Sequence, residues 1–116
     1  MELKRYSDAA PFPFGNLAIR DVTPGLLDVA SMAEIEVPIA ADNPPFAAAG
    51  KKKVYVGIAG DVEFDIGGER VRVRSGDVLL VEAGEKYSYH NGGYEPARLL
   101  LLQIPGAVAQ EARGTT

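Results

Sequence analysis

The sequence predicts one all-β domain of antiparallel strands, and three observations carry that prediction. Thirteen glycines and eight prolines cut the chain into short segments rich in Val, Ile, Leu and Tyr, which suits many strands rather than a few long helices. The segment from Asp61 to Arg74 alternates apolar with charged residues on both sides of a Gly-Gly pair. A length of 116 residues, 47% of them hydrophobic and 24% charged, fits a single folded domain and excludes a disordered or collagen-like chain.

Taken in order, residues 1–29 read as an N-terminal arm and first strands. Within them APFPFGN sets Phe12 and Phe14 between prolines, an extended piece whose rings need a surface to pack on. Met32, Glu34 and Glu36 then alternate with Ala33, Ile35 and Val37, a strand that Pro38 ends or kinks. Its two glutamates share a face and read as edge solubility. ADNPPFAAAG reads as a loop approaching the strand KKVYVGIAG. In DVEFDIGGERVRVR, Val62, Phe64 and Ile66 alternate with Glu63 and Asp65, and Val71 and Val73 alternate with Arg70, Arg72 and Arg74. Gly67-Gly68 allows the positive φ angles of a two-residue turn, so the piece is a hairpin with one apolar and one charged face. DVLLVEAG is a continuous apolar run, read as a central strand covered on both faces, with Asp77 binding turn amides. EKYSYHN is a tyrosine-rich strand before Gly92-Gly93, and ARLLLLQIP is a second apolar run closed by Pro105-Gly106. The small, polar tail, 106–116, is expected to fray.

Composition removes several function classes. A formal charge of -4 and a pI near 4.9 repel phosphate backbones and anionic lipid, and Lys51-Lys52-Lys53 is a single short basic run. No nucleic-acid and no membrane partner is expected. The lack of cysteine excludes disulfides, thiolate nucleophiles and sulfur metal sites. The opening MELKRYSDAA has no apolar stretch of signal-peptide type, no later run reaches membrane-spanning length, and the chain reads as cytoplasmic. A phosphate loop, a dinucleotide fingerprint and a serine nucleophile elbow are likewise missing from the sequence.

The stretch GDVLLVEAGEKYSYHN resembles the second signature of the cupin superfamily: Gly, five residues, Pro, any residue, Gly, two residues, His, three residues, Asn. Gly76, Gly84 and Asn91 are in register, with Glu82 in the proline's place and Tyr87 in that of a metal-binding histidine. Seven residues before Gly60, where the first signature has its glutamate, stands Lys53. Its two histidines would fall at Phe46 and Ala48, or at Ala47 and Ala49. The resemblance spans residues 30–105 and implies an antiparallel jelly-roll β-barrel. The family's metal, held by three histidines and a carboxylate inside one end, has no ligand set here, so no metal and no cofactor is expected.

If Tyr87 faces the interior as its family counterpart does, alternation turns Tyr89 inward and sends Ser88 and the single histidine, His90, outward. A bulge before Asn91 is the alternative that would bring His90 over the mouth. The same parity puts Lys53, Tyr55 and Gly57 inside. One cavity would then hold Lys53, Tyr55, Tyr87 and Tyr89 as ligand-binding residues, with Lys53 and Tyr87 as a candidate acid–base pair trading a proton near neutrality. Against this stand a solvated lysine run, core tyrosines and a surface role for Arg98, paired with Glu95 or a neighbouring strand. Three functions follow in order: a binder of a small polar or anionic molecule; a metal-independent isomerase, epimerase, cyclase or lyase; and a noncatalytic scaffold barrel. The family's metal-independent epimerases use a catalytic histidine with no convincing match here. A homodimer is expected, through the Phe12 and Phe14 arm.

Overall fold

A Gly-Gly pair with φ of 58° at Gly67 and 86° at Gly68 joins two strands in which Ile66 faces Glu69 and Val62 faces Val73, the hairpin expected from the alternation. It forms one corner of a computed structural model that describes residues 1–25, 29–46 and 50–105, with 44–46 as backbone only. The strands are β1 (Phe12–Phe14), β2 (Leu17–Asp21), β3 (Ser31–Val37), β4 (Asp42–Phe46), β5 (Lys52–Ala59), β6 (Val62–Ile66), β7 (Glu69–Val73), β8 (Val78–Val81), β9 (Tyr87–His90) and β10 (Ala97–Ile104). They build one sheet in the order β1-β2-β3-β10-β5-β8 and another in the order β4-β9-β6-β7. The strand pairs are antiparallel, and the whole is a jelly-roll barrel. No helix among the described residues is long and apolar enough to cross a membrane.

Strand register stacks the interior in layers. Lys53 pairs with Val81 and Gln103, and Gln103 with Ser31, while Ile66 pairs with Tyr87 in the other sheet. The next layer holds Tyr55, Leu79, Leu101 and Ala33, facing Asn43, Tyr89 and Phe64. Beyond it Ile35, Leu99, Val62, Val73 and Asn91 are buried. This far end is sealed. Gly57 donates its N–H to Asp77 O at 2.9 Å and accepts from Gly76 N–H at 2.8 Å, and a Cβ at Gly57 would stand 2.0 Å from the Arg74 carbonyl oxygen. Only glycine lets the β7–β8 turn approach so closely. That turn is tied by the Arg74 N–H donating to Asp77 Oδ2 at 2.9 Å, the role expected of Asp77. The Asn91 amide donates to Val37 O at 3.0 Å and Glu95 O at 2.8 Å and accepts from Gly93 N–H at 2.9 Å.

Three expectations change. The segment at residues 42–46 is an edge strand and not a loop; Pro44 and Pro45 lie where one side of the strand has no neighbour in the sheet, and the ladder with β9 slips between Asn43 and Phe46, so their missing N–H groups break no regular pairing. DVLLV is not central. It forms β8 at the sheet edge, with Val78 66% and Leu80 47% exposed, because a run of apolar residues does not distinguish a doubly covered strand from one whose outer face is apolar. The Phe12 and Phe14 arm is extended as expected; it is β1, hairpinned onto β2 with both rings half exposed. Glu34 is not a solubility residue: β3 is an interior strand of its sheet and Glu34 is buried. The second apolar run, β10, is central, between β3 and β5. Ala47, Ala48, Ala49 and the tail 106–116 lie outside the described residues.

Candidate ligand site inside the barrel

Alternation along β5 buries Lys53 and Tyr55, at 6% and 1% exposure, and alternation along β9 buries Tyr87 and Tyr89, at 2% and 3%. The two strands belong to opposite sheets, so their inward side chains meet across the barrel. Lys53 Nζ donates to the Tyr87 hydroxyl at 3.0 Å. The Tyr87 and Tyr55 hydroxyls share a 2.6 Å hydrogen bond, which extends the ammonium's contact into a chain of three polar groups. Phe64 packs against Tyr55 and Tyr89 with ring centroids 5.0 and 4.9 Å away, and Tyr89 lies nearly parallel to Tyr87. The aromatic rings thus hold the chain of hydroxyls on a fixed, largely apolar wall.

Burial, with the neighbouring charge of Lys51, lowers Lys53 from 10.5 to about 8. Burial also raises Tyr87 to about 12, outweighing the opposing effect of its hydrogen bond to Tyr55. Tyr55 and Tyr89 are raised too, burial again being the main cause. The expected exchange of a proton between Lys53 and Tyr87 near neutrality therefore does not follow. Desolvation of the phenol outweighs the attraction of the ammonium, and at pH 7 the stable pair is a charged lysine and a neutral tyrosine.

His90 is exposed on the outer face of β9, between Asp42 and Glu63 in the register; no bulge turns it inward. Arg98 pairs with Glu34 on the neighbouring strand β3, Nη2 to Oε2 at 2.6 Å, the second of the two partners expected for it, and not with Glu95. The Tyr6 hydroxyl donates to the other oxygen of Glu34 at 3.2 Å, and the Arg20 guanidinium lies 4.5 Å from the Tyr6 ring centroid and donates to Ala9 O. This group fastens the 3₁₀ turn at Tyr6–Asp8 to the outer face of the six-stranded sheet, away from the interior. Glu82, at the family's proline position, forms an exposed ion pair with Lys52 at 3.6 Å. Two surface cavities, of about 460 and 220 Å³, lie against the outer face and hairpin of the four-stranded sheet, lined by residues such as Glu63, Arg72 and Tyr94 in one and Asp65 and Lys86 in the other. Tyr87 lines the smaller one beside the Gly67-Gly68 turn, and neither contains Lys53, Tyr55 or Tyr89.

Three polar residues of the interior layers escaped the sequence reading. Ser31 and Gln103 extend the inward rows of Ala33, Ile35 and Val37 and of Leu99 and Leu101 by one step each, to the level of Lys53. Continuing each alternation past its last apolar residue would have found them. Asn43 sits opposite Tyr89 at 3% exposure, in a segment whose prolines concealed the strand.

The donor set does not fit the metal that the cupin signatures hold. An ammonium in the place of the carboxylate repels a divalent cation, Tyr87 in a histidine's place already accepts from that ammonium, and the described residues contain no group of three His, Asp or Glu able to hold an ion.

Comparison with known proteins agrees with this architecture. The model of the cupin domain matches residues 34–103, more than half of the chain. Solved structures of similar fold include a predicted oxalate decarboxylase from Thermotoga maritima, at 20% identity and a TM-score of 0.78 over 89% of this chain and 98% of that one. An RmlC-like cupin from Shewanella frigidimarina superposes at 13% identity and a TM-score of 0.80, covering 92% of this chain and 93% of its own. The polyketide cyclase RemF from Streptomyces resistomycificus does so at 16% and 0.79, covering 90% and 79%. At such identities the likeness is one of fold alone. No curated protein matches the sequence significantly.

Proposed function

The chain belongs to the cupin family, and from that premise we propose that it binds a small polar or anionic molecule inside the barrel, with Lys53 and Tyr87 at the ligand's charged end and Tyr55 and Tyr89 as its wall. One observation carries this reading. Lys53, a residue only 6% exposed, lies on the inner face with its ammonium group hydrogen-bonded to a phenol. Burying a charge there costs the fold free energy that an apolar side chain would not, and groups kept at such a cost concentrate where ligands bind. The protonated lysine offers charge-assisted hydrogen bonds to a carboxylate or a comparable oxyanion.

The test is calorimetry with a panel of two- to six-carbon carboxylates. Binding is expected below pH 8 and weakens above it, as Lys53 loses its proton. Lys53→Met keeps the side-chain bulk and should weaken binding by roughly 1.5–3 kcal/mol, the worth of a hydrogen bond to a charged group. Tyr87→Phe weakens it less, and His90→Gln leaves it unchanged. Binding that survives Lys53→Met but not His90→Gln would overturn the assignment.

A second reading is favoured by the value of about 8 for Lys53, close to working pH for a general base. In it the chain is a metal-independent isomerase, epimerase, cyclase or lyase. Neutral Lys53 takes the proton, and Tyr87 supplies one from a hydroxyl that stays un-ionised. Turnover would then rise through pH 8 while anion binding falls, so the two readings have opposite pH profiles. Tyr87→Phe would abolish turnover while leaving binding in place. A noncatalytic scaffold ranks third. We read the assembly as a cytoplasmic homodimer.

A further inference from the structure

Asn43 presents an unmet demand inside the barrel. Its register partner is Tyr89, whose ring packs on Tyr55 and Phe64, whereas the preceding Asp42 pairs with the outward His90. Directly opposed residues of an antiparallel pair share a face, so the Asn43 side chain lies on the inner one. It is 3% exposed, and its Oδ1 is buried with no hydrogen-bond partner. Buried amide oxygens are nearly always satisfied, and one that is not points to a group supplied from outside the chain. The neighbouring Tyr89 adds a hydroxyl for which no hydrogen bond is found among the described residues. A satisfied Asn91, two residues further along the chain and just past the end of β9, shows how the same side chain looks when it serves the fold: the bonds of its side chain go to backbone.

The position of Asn43 within the layers gives the demand a geometry. Tyr87 marks the layer of the Lys53 ammonium and Tyr89 that of Asn43. The two layers are one two-residue step apart along β9, about 6.5–7 Å. We infer that the ligand carries a hydrogen-bond donor, such as a hydroxyl, one strand step from its anionic group, and that Asn43 Oδ1 accepts from it. The inference rests on the proposed interior site and narrows it to hydroxy acids and similarly spaced amido acids. A hydroxyl can donate to Oδ1 and accept from the Tyr89 hydroxyl at once.

The experiment compares two probes differing in a single group: 5-hydroxypentanoate, with its hydroxyl four methylenes from the carboxylate, and pentanoate. The wild-type protein is expected to bind the hydroxy acid about tenfold more tightly, close to 1.4 kcal/mol. In Asn43→Leu, and in Asn43→Ala, which adds no bulk, the preference should fall to about one while pentanoate affinity holds. Thermal midpoints supply an independent reading. A side chain kept for a ligand can be replaced by Leu with the midpoint unchanged or raised, whereas a drop of the midpoint in both variants would assign Asn43 to the fold and overturn the inference. Equal wild-type affinity for both probes, with binding still dependent on Lys53, overturns the role of Asn43 and leaves the interior site standing. No binding of either probe overturns both.

Discussion

Replacing Lys53 by methionine should make the protein more stable at pH 7. The fall of Lys53 from 10.5 to about 8 corresponds to roughly 3 kcal/mol of penalty for the charged form, at about 1.36 kcal/mol per pH unit. Solvent screening near the barrel's end removes part of that. Methionine also gives up the bond to Tyr87, worth about 1 kcal/mol. A net gain of about 1–2 kcal/mol remains. The pH dependence identifies its origin: between pH 8 and 10.5 the unfolded chain still holds a proton that the folded chain has released, so wild-type stability rises across this window relative to the variant. The advantage of Lys53→Met is therefore full below pH 8, declines from there and has reversed by pH 10.5, where wild type is free of the charge penalty and keeps a hydrogen bond to Tyr87, worth about 1 kcal/mol, that methionine lacks. Titration of the tyrosines, common to both proteins, cancels in the difference. Urea denaturation of the two proteins at intervals from pH 7 to 10.5 measures it. A variant less stable than wild type by 1 kcal/mol or more, with a pH-independent difference, would refute the reasoning and make Lys53 a structural residue.

Other substitutions probe the frame. Gly57→Ala drives a methyl into the Arg74 carbonyl, and since neither backbone can yield cheaply, a loss of about 3 kcal/mol is expected in chemical denaturation. Arg98→Met strands the buried carboxylate of Glu34 and should cost about 1–2 kcal/mol, the partial exposure of the arginine moderating the larger loss typical of buried pairs. A double-mutant cycle with Glu34→Gln should recover a coupling of at least 0.5 kcal/mol, and strict additivity would show the pair to be inert. Light scattering at micromolar concentration should give a dimer mass, because Phe12, Phe14, Val78 and Leu80 leave apolar surface exposed at both edges of one sheet; a monomer mass would remove that reading.

Much of the fold was legible because β-structure writes itself in period two. Val62, Phe64 and Ile66, with Gly67-Gly68 after them, define the hairpin without help from the rest of the chain. The parity of Tyr87 and Tyr89 against His90 followed from the same rule, aided by the family signature, as did the facing of Lys53 and Tyr55 inward. The errors arose where neighbours decide. Whether Leu80 is covered depends on what lies beyond β8, and whether Glu34 is solvated depends on Tyr6 and Arg98, far away in sequence. Asn43 was hidden by Pro44 and Pro45, which a strand tolerates only at an edge, and edges are a property of the sheet and not of the segment. The charge states of the site were also out of reach, since the balance between desolvation and attraction depends on depths that alternation alone does not give.

The closure at Gly57 decides from which side the interior could be reached. With the β7–β8 turn pressed onto Gly57 and the Asn91 amide binding the Val37 and Glu95 carbonyls, this end of the barrel is shut, and the layer of Ile35, Leu99, Val62 and Val73 fills it. A molecule bound as proposed would have to approach from the opposite end, past the layer of Lys53 and Tyr87, and leave by the same way. A polymer threaded from end to end would meet the packed layer beneath Gly57, so the proposed site suits a small molecule or the end unit of a longer one.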